Sequence, residues 1–220
     1  MLRTMICFLL VLTTSGCSSR YSTFTRFEDS GIAKPTVAML PLVNNSSIEL
    51  PWDISEELTS GIRHSLKKNG KLFLSSSEEA EDLGLILGPM DVSTANLEPL
   101  KKFASSEFVI MLELVNHKKI PYDRGTLNPV YPADGKIAHV LALMVRVHVV
   151  DIRGEQPQTI LHEIVRSNHL IPTTIAHINA GDRIWGENTY NFSPIGLAHA
   201  RLERDIAGRL EDYILVAKSR

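Results

Sequence analysis

Ile137-Ala138-His139-Val140-Leu141-Ala142-Leu143-Met144-Val145-Arg146-Val147-His148-Val149-Val150-Asp151 is the stretch that decides the fold. Leu141, Leu143, Val145, Val147 and Val149 alternate with Met144, Arg146 and His148. Successive side chains on a strand point to opposite faces, so this run predicts a long strand with one apolar face. Arg153-Gly154-Glu155 begins a turn, and Thr159 to Ile171 returns as the partner of a long hairpin. Upstream, Glu107-Phe108-Val109-Ile110-Met111-Leu112-Glu113-Leu114-Val115 reads as a buried strand. So does Thr36-Val37-Ala38-Met39-Leu40-Pro41-Leu42-Val43, bounded by Pro35 and Asn44-Asn45-Ser46-Ser47. Pro41 donates no hydrogen bond, which places it near that strand's end or at an edge. Lys71 to Ser75 reads as one more short strand.

Between these runs the period changes to that of helices. Ile54, Leu58, Ile62 and Leu66 form one stripe. Asp53 and Glu56 make a capping box at its start, and Lys67, Lys68 and Gly70 suit its end. Glu78–Leu87 and Asn96–Phe103 are shorter helix candidates. The last helix is expected after Ser193 as cap and Pro194 at its first position. Ala198, Leu202, Ile206, Leu210, Tyr213, Ile214 and Ala217 form its apolar face, and Arg201, Asp205 and Arg209 alternate in sign on another. Residues 118–136 and 172–193, rich in Pro and Gly, read as long irregular segments. The fold class is α/β (α+β): a mixed sheet with helices packed on it, a long hairpin and an amphipathic C-terminal helix.

The N-terminus has a different character. Arg3 is followed by the apolar run Met5–Leu12 and the small-residue tail Thr13-Thr14-Ser15-Gly16-Cys17. This is the anatomy of a secretory signal. As a helix the run reaches only about 12 Å, too short for a bilayer core of about 30 Å. Thr14-Ser15-Gly16-Cys17 resembles the lipobox of bacterial lipoproteins, departing from it at Thr14, where that family prefers Leu. The resemblance implies cleavage before Cys17 and acylation of its thiol and new amine. Ser18 lacks the Asp that retains some lipoproteins at the inner membrane, which leans toward the outer membrane, facing the periplasm. The expected organisation is a signal peptide at 1–16, a lipidated cysteine and flexible tether at 17–35, and a single periplasmic domain at 36–220. Tyr21, Phe24 and Phe27 depart from a pure spacer and are expected to dock on the domain, on headgroups or on a partner.

Composition narrows the function classes. Of the 23 basic residues only Arg3 leaves with the signal, so the remainder holds 22 against 25 acidic residues. That balance argues against nucleic-acid binding. Cys7 leaves with the signal and Cys17 carries the lipid, so the domain has neither free thiol nor disulfide.

The order of elements resembles the periplasmic domain shared by the TolB amino-terminal region, the curli-secretion lipoprotein and the lipoprotein activators of cell-wall synthases. Val37–Asn44 is similar to that group's opening strand, Ser105–Ile110 to the entry of its central strand, and Val147–Glu155 to its hairpin. The likeness runs from residue 36 to about 171. It departs at Leu112-Glu113-Leu114, where the group has a glycine after the central strand, and at 118–136. The resemblance implies binding and assembly rather than catalysis.

The residues offer little chemistry. His162-Glu163-Ile164-Val165-Arg166 begins like a zinc-protease motif, but Arg166 stands where a second His belongs, and on a strand His162 and Glu163 face apart. The eight histidines are scattered, with no close pair at ligand spacing. His148 and Arg146 share a strand face expected to meet solvent or a partner. Asp182-Arg183 with Trp185 and Tyr190 can line a small pocket, or serve as packing or a binding surface. No catalytic residue, metal site or cofactor is expected. The expected partners are membrane lipid through Cys17 and another envelope protein met by loops 118–136 and 172–192. The alternative is a homo-oligomeric export component of curli-secretion type.

Overall fold

Residues 25–76, 97–103, 105–121, 137–172 and 184–220 are described by the computed structural model. The sheet is built from β1 (Thr36–Met39), β2 (Val43–Asn44), β3 (Phe73–Leu74), β4 (Phe108–Pro121), β5 (Ile137–Asp151) and β6 (Gln158–Pro172). Its order is β3-β1-β4-β5-β6, and β2 also pairs with β4. β1 lies parallel to β3 and β4, whereas β4–β5 and β5–β6 are antiparallel. The mixed sheet and long hairpin expected from the sequence are therefore present.

Alternation along β5 gives the sheet its two faces. Val145, Val147 and Val149 join Phe108, Ile110 and Leu112 of β4 and Val37 and Met39 of β1 in the main core. Helices α1 (Ile54–Asn69) and α2 (Pro194–Lys218) cover this side. Ile54, Leu58, Ile62 and Leu66 of α1 and Leu202, Ile206, Leu210 and Ile214 of α2 are the buried stripes that do so. On the opposite face Ala38, Leu40, Val109, Met111 and Val150 pack with Leu100 and Phe103 in a second, smaller core. Leu100 belongs to a 3-10 turn at Glu98–Lys102. The candidate helix at 96–103 is thus a short 3-10 turn, as Pro99 at its start and the brief run permit.

Both helices begin at their expected N-cap residues. Asp53 accepts from Ser55 N at 2.8 Å, and Gly70 takes a left-handed φ of 71° with its N–H on Leu66 O. Ser193 Oγ accepts from Gly196 N at 3.0 Å, with Pro194 beginning α2.

Three expectations need correction. The opening strand breaks into β1 and β2 at Pro41, whose missing N–H interrupts the ladder. Leu42 N–H turns instead to Thr59 Oγ1 of α1, 2.9 Å away. β4 runs on to Pro121, so residues 118–121 are strand, held by pairing of Lys118 with Ala142 and Pro121 with His139. Tyr213 is 45% exposed and lies off the buried face of α2. Phe27 bridges Ala33 across a turn containing Gly31 and is 54% exposed. The candidate helix 78–87, Tyr21 and Phe24 lie outside the described residues.

The α2 stripe carries a direct test. Leu202→Ala is expected to cost about 2–5 kcal/mol by urea denaturation, because Leu202 is wholly buried. Tyr213→Ala is expected to cost well under about 1 kcal/mol. Equal losses would put Tyr213 back on the packed face.

Candidate functional site

Glu57 stands in the first turn of α1 and is 2% exposed. Its Oε1 accepts from Tyr190 Oη and from His199 Nδ1, the latter at 2.7 Å. Its Oε2 accepts from Trp52 Nε1 at 2.7 Å. Beyond it, His199 Nε2 meets His117 Nε2 at 2.9 Å, a contact that holds a single proton whichever ring supplies it. Trp52 and Tyr190 pack edge to face, 5.5 Å between ring centroids. The result is a buried relay from α1 through α2 to the sheet.

A β-bulge brings His117 into that relay. β4 carries an extra residue between Leu114 and Asn116, after which His117 pairs with Leu143 on the helix-facing side. Without it, alternation would turn Asn116 inward and His117 outward.

Burial alone would raise the Glu57 carboxyl. The His199 hydrogen bond and charge, with the Tyr190 and Trp52 donors, more than offset that and hold it below its ordinary value. Burial, then the neighbouring His199, pushes His117 down to about 4. Burial and the Glu57 charge push the Tyr190 phenol up. At neutral pH the relay therefore contains an ionised Glu57, a neutral His117 and a neutral Tyr190.

Beside the relay a cleft of about 560 Å³ opens between α1 and α2. Gly61 on α1, with Gly196 and Ala200 on α2, supply small residues along it, and Trp185 and Tyr190 line it from the segment before α2. Glu203 lies across Gly61 so closely that a Cβ there would come within 2.1 Å of its carboxyl carbon. Glu203 makes no hydrogen bond or ion pair among the described residues. Burial and the Glu57 charge push it up to about 7, against a smaller opposing effect of Arg204.

The structure places the sequence candidates unevenly. Cys17, Asp182 and Arg183 lie outside the described residues, as do 122–136 and 173–183 of the two long segments. Trp185 and Tyr190 do line a cleft, Tyr190 as a buried member of the relay. His148 is not on a solvated face: it is 4% exposed and stacks on His162, its cross-strand partner, at 4.3 Å. Arg146 instead pairs with Glu113 across the sheet. Glu163 points to the helix side, where it pairs with Arg209, so His162 and Glu163 do face apart. Among the described residues no three His, Cys, Asp or Glu side chains group to hold a metal. Sequence reasoning missed Glu57, His117, His199 and Glu203. The one local signal was a carboxylate interrupting the α1 stripe just before Leu58.

A family model described as "Family of unknown function (DUF7499)" matches residues 23–218. The chain belongs to this family. No curated protein matches it. Its fold is similar to that of the hypothetical protein CT253 from Chlamydia trachomatis, with 26% identity, 83% of this chain and 98% of that one covered, and a TM-score of 0.64. Solved structures with a more distant likeness include lipoproteins. Lipoprotein GNA1162 from Neisseria meningitidis shares 13% identity over 67% of this chain and 88% of its own, with a TM-score of 0.38. The C-terminal domain of LpoB from Salmonella enterica shares 12% over 72% and 90%, with a TM-score of 0.35.

The two carboxyls give opposite pH dependences. Glu57, held below its ordinary value, adds stability above about pH 4.5 that is lost in acid. His117, also depressed, loses its contribution as pH falls from about 6.5 toward 4. Glu203 is raised, so its contribution is full below about pH 4.5 and is lost as pH climbs through about 7. Relative to wild type, Glu203→Gln is expected to gain stability progressively across about pH 4.5 to about pH 7, then level off. Parallel denaturation series would show it, and a pH-independent difference would refute it.

Proposed function

We propose that this DUF7499 protein is a lipid-anchored, non-catalytic adaptor of the cell envelope. The observation that carries the non-catalytic reading is the closure of the buried relay. Its acid and bases are the residues most like catalytic machinery, yet Glu57 spends both oxygens on internal donors and His117 is 3% exposed. Such a network fixes how α1, α2 and the sheet meet, and commits both Glu57 oxygens to donors within the fold.

The anchoring half rests on Thr14-Ser15-Gly16-Cys17 behind a short apolar run. In this reading 1–16 is removed, Cys17 carries the acyl chains, 18–35 tethers the domain, and the outer membrane facing the periplasm is its place. Among the described residues no helix is long and apolar enough to cross a membrane. Several buried acyl chains at about 0.8 kcal/mol per methylene make the attachment effectively permanent. The tether then keeps the domain at high effective concentration for a partner within its reach. That partner meets the domain through segments 122–136 and 173–192.

Two measurements decide this. Intact-mass analysis of membrane fractions is expected to show cleavage before Cys17 with acyl mass added, and Cys17→Ser is expected to lose both. An unmodified Cys17 would sink the anchor. Crosslinking of the lipidated protein in its own envelope is expected to capture one foreign protein through those two segments. A ladder of self-crosslinks alone would overturn the adaptor in favour of an oligomeric export assembly.

A further inference from the structure

We propose that the free edge of β6 is a strand-addition site: an extended, acidic segment of the partner pairs with residues 161–171 as one more strand of the sheet. This rests on the adaptor reading and names the chemistry of its partner.

The two edges of the sheet are finished differently. On one side it ends on β3, two residues long; on the other it ends on β6, fifteen residues long. Residues 161–171 pair one for one with residues 149–139 of β5, and both register shifts lie outside that stretch. At about 3.4 Å per residue this makes a regular edge of about 34 Å. Alternate residues of an edge strand aim their N–H and C=O groups away from the sheet. Among the described residues no backbone hydrogen bond leaves β6 on that side. Exposed edges are ordinarily blunted by Pro, Lys or a bulge. Residues 161–171 contain neither Pro nor Lys, and their unbroken register holds no bulge.

Charge selects the occupant. The face of this edge away from the helices carries His162, Ile164, Arg166 and Asn168, all exposed. On the helix side Glu163 is spent on Arg209, which also holds Asp205. His169 lies near Arg201 of α2, and burial together with that charge holds the imidazole below its ordinary value. Arg166 and Arg201 make no ion pair among the described residues. The acidic groups along the edge are therefore neutralised from within, and its free charges are cationic on both faces. A second copy would lay two such edges side by side, at the cost of like-charge repulsion. A strand bearing carboxylates meets Arg166 on one face and Arg201 on the other. Main-chain bonds then supply the affinity, and the charges supply the choice of partner. β6 also runs directly into residue 173, where the second partner-facing segment begins.

The test uses the lipidated full-length protein in nanodiscs, with amide hydrogen exchange followed by NMR along residues 161–171. In the free protein alternate amides of this stretch, those bonded to β5, are expected to be protected. The first probe is a short capped peptide alternating valine and glutamate. Its controls are the same peptide with lysine for glutamate, and the glutamate peptide N-methylated at every backbone amide. The glutamate peptide is expected to bind saturably and to slow exchange of the remaining alternate amides at least about tenfold. Both controls are expected to leave those amides unprotected. Arg166→Glu combined with Arg201→Glu, both at exposed positions, is expected to lose the glutamate peptide and to admit the lysine peptide. Protection of both sets of amides in the free protein, binding that leaves exchange along β6 unchanged, or equal protection by the lysine peptide would each overturn the site. In envelope crosslinking, a partner captured equally well by the double variant would overturn the site and leave the adaptor reading standing. If no partner is captured the adaptor reading falls alone, and the exchange experiment still decides the edge.

Discussion

A buried, ionised Glu57 is the constraint around which the rest of the molecule is arranged. Removing a carboxylate from water costs several kcal/mol unless its oxygens are fully bonded. Three donors from three places meet that demand: Trp52 before α1, Tyr190 before α2, and His199 within α2. Because no single segment supplies them, the carboxylate is satisfied only when both helices and the chain leading into α2 are in place. His117 extends the requirement to the sheet. Such a network adds little net stability over an apolar substitute, but it leaves one arrangement in which nothing polar is stranded.

The apolar core accepts that arrangement because it is less particular. Leu58, Ile62 and Leu66 on α1 and Leu202, Ile206 and Leu210 on α2 are wholly buried, and a helix that slid by a turn would still present an apolar stripe. Sliding would break the bonds to Glu57. Hydrophobic burial therefore supplies the bulk of the driving force, and the polar relay sets the register. Arg63 repeats the logic at the sheet's end, donating to Met39 O and Ser75 O, both at 2.9 Å, so that α1 is fixed against β1 and the residue following β3.

What could be read from the chain was whatever repeats. Period two along Leu141–Val149 and period near four along Ile54–Leu66 state which face is buried, because burial imposes the period. Asp53, Gly70, Ser193 and Pro194 mark helix ends through local stereochemistry, and local rules survive in the fold. The site was not legible for the opposite reason. His117 and His199 are 82 residues apart, and neither sits in a motif. The bulge that turns His117 inward is a property of the pairing with β5, not of Leu114-Val115-Asn116 by itself. His148 was misplaced because alternation names a face without saying what covers it; here the ring of His162 does. Tyr213 failed similarly: helical spacing puts it at the margin of the stripe, and the margin faces water.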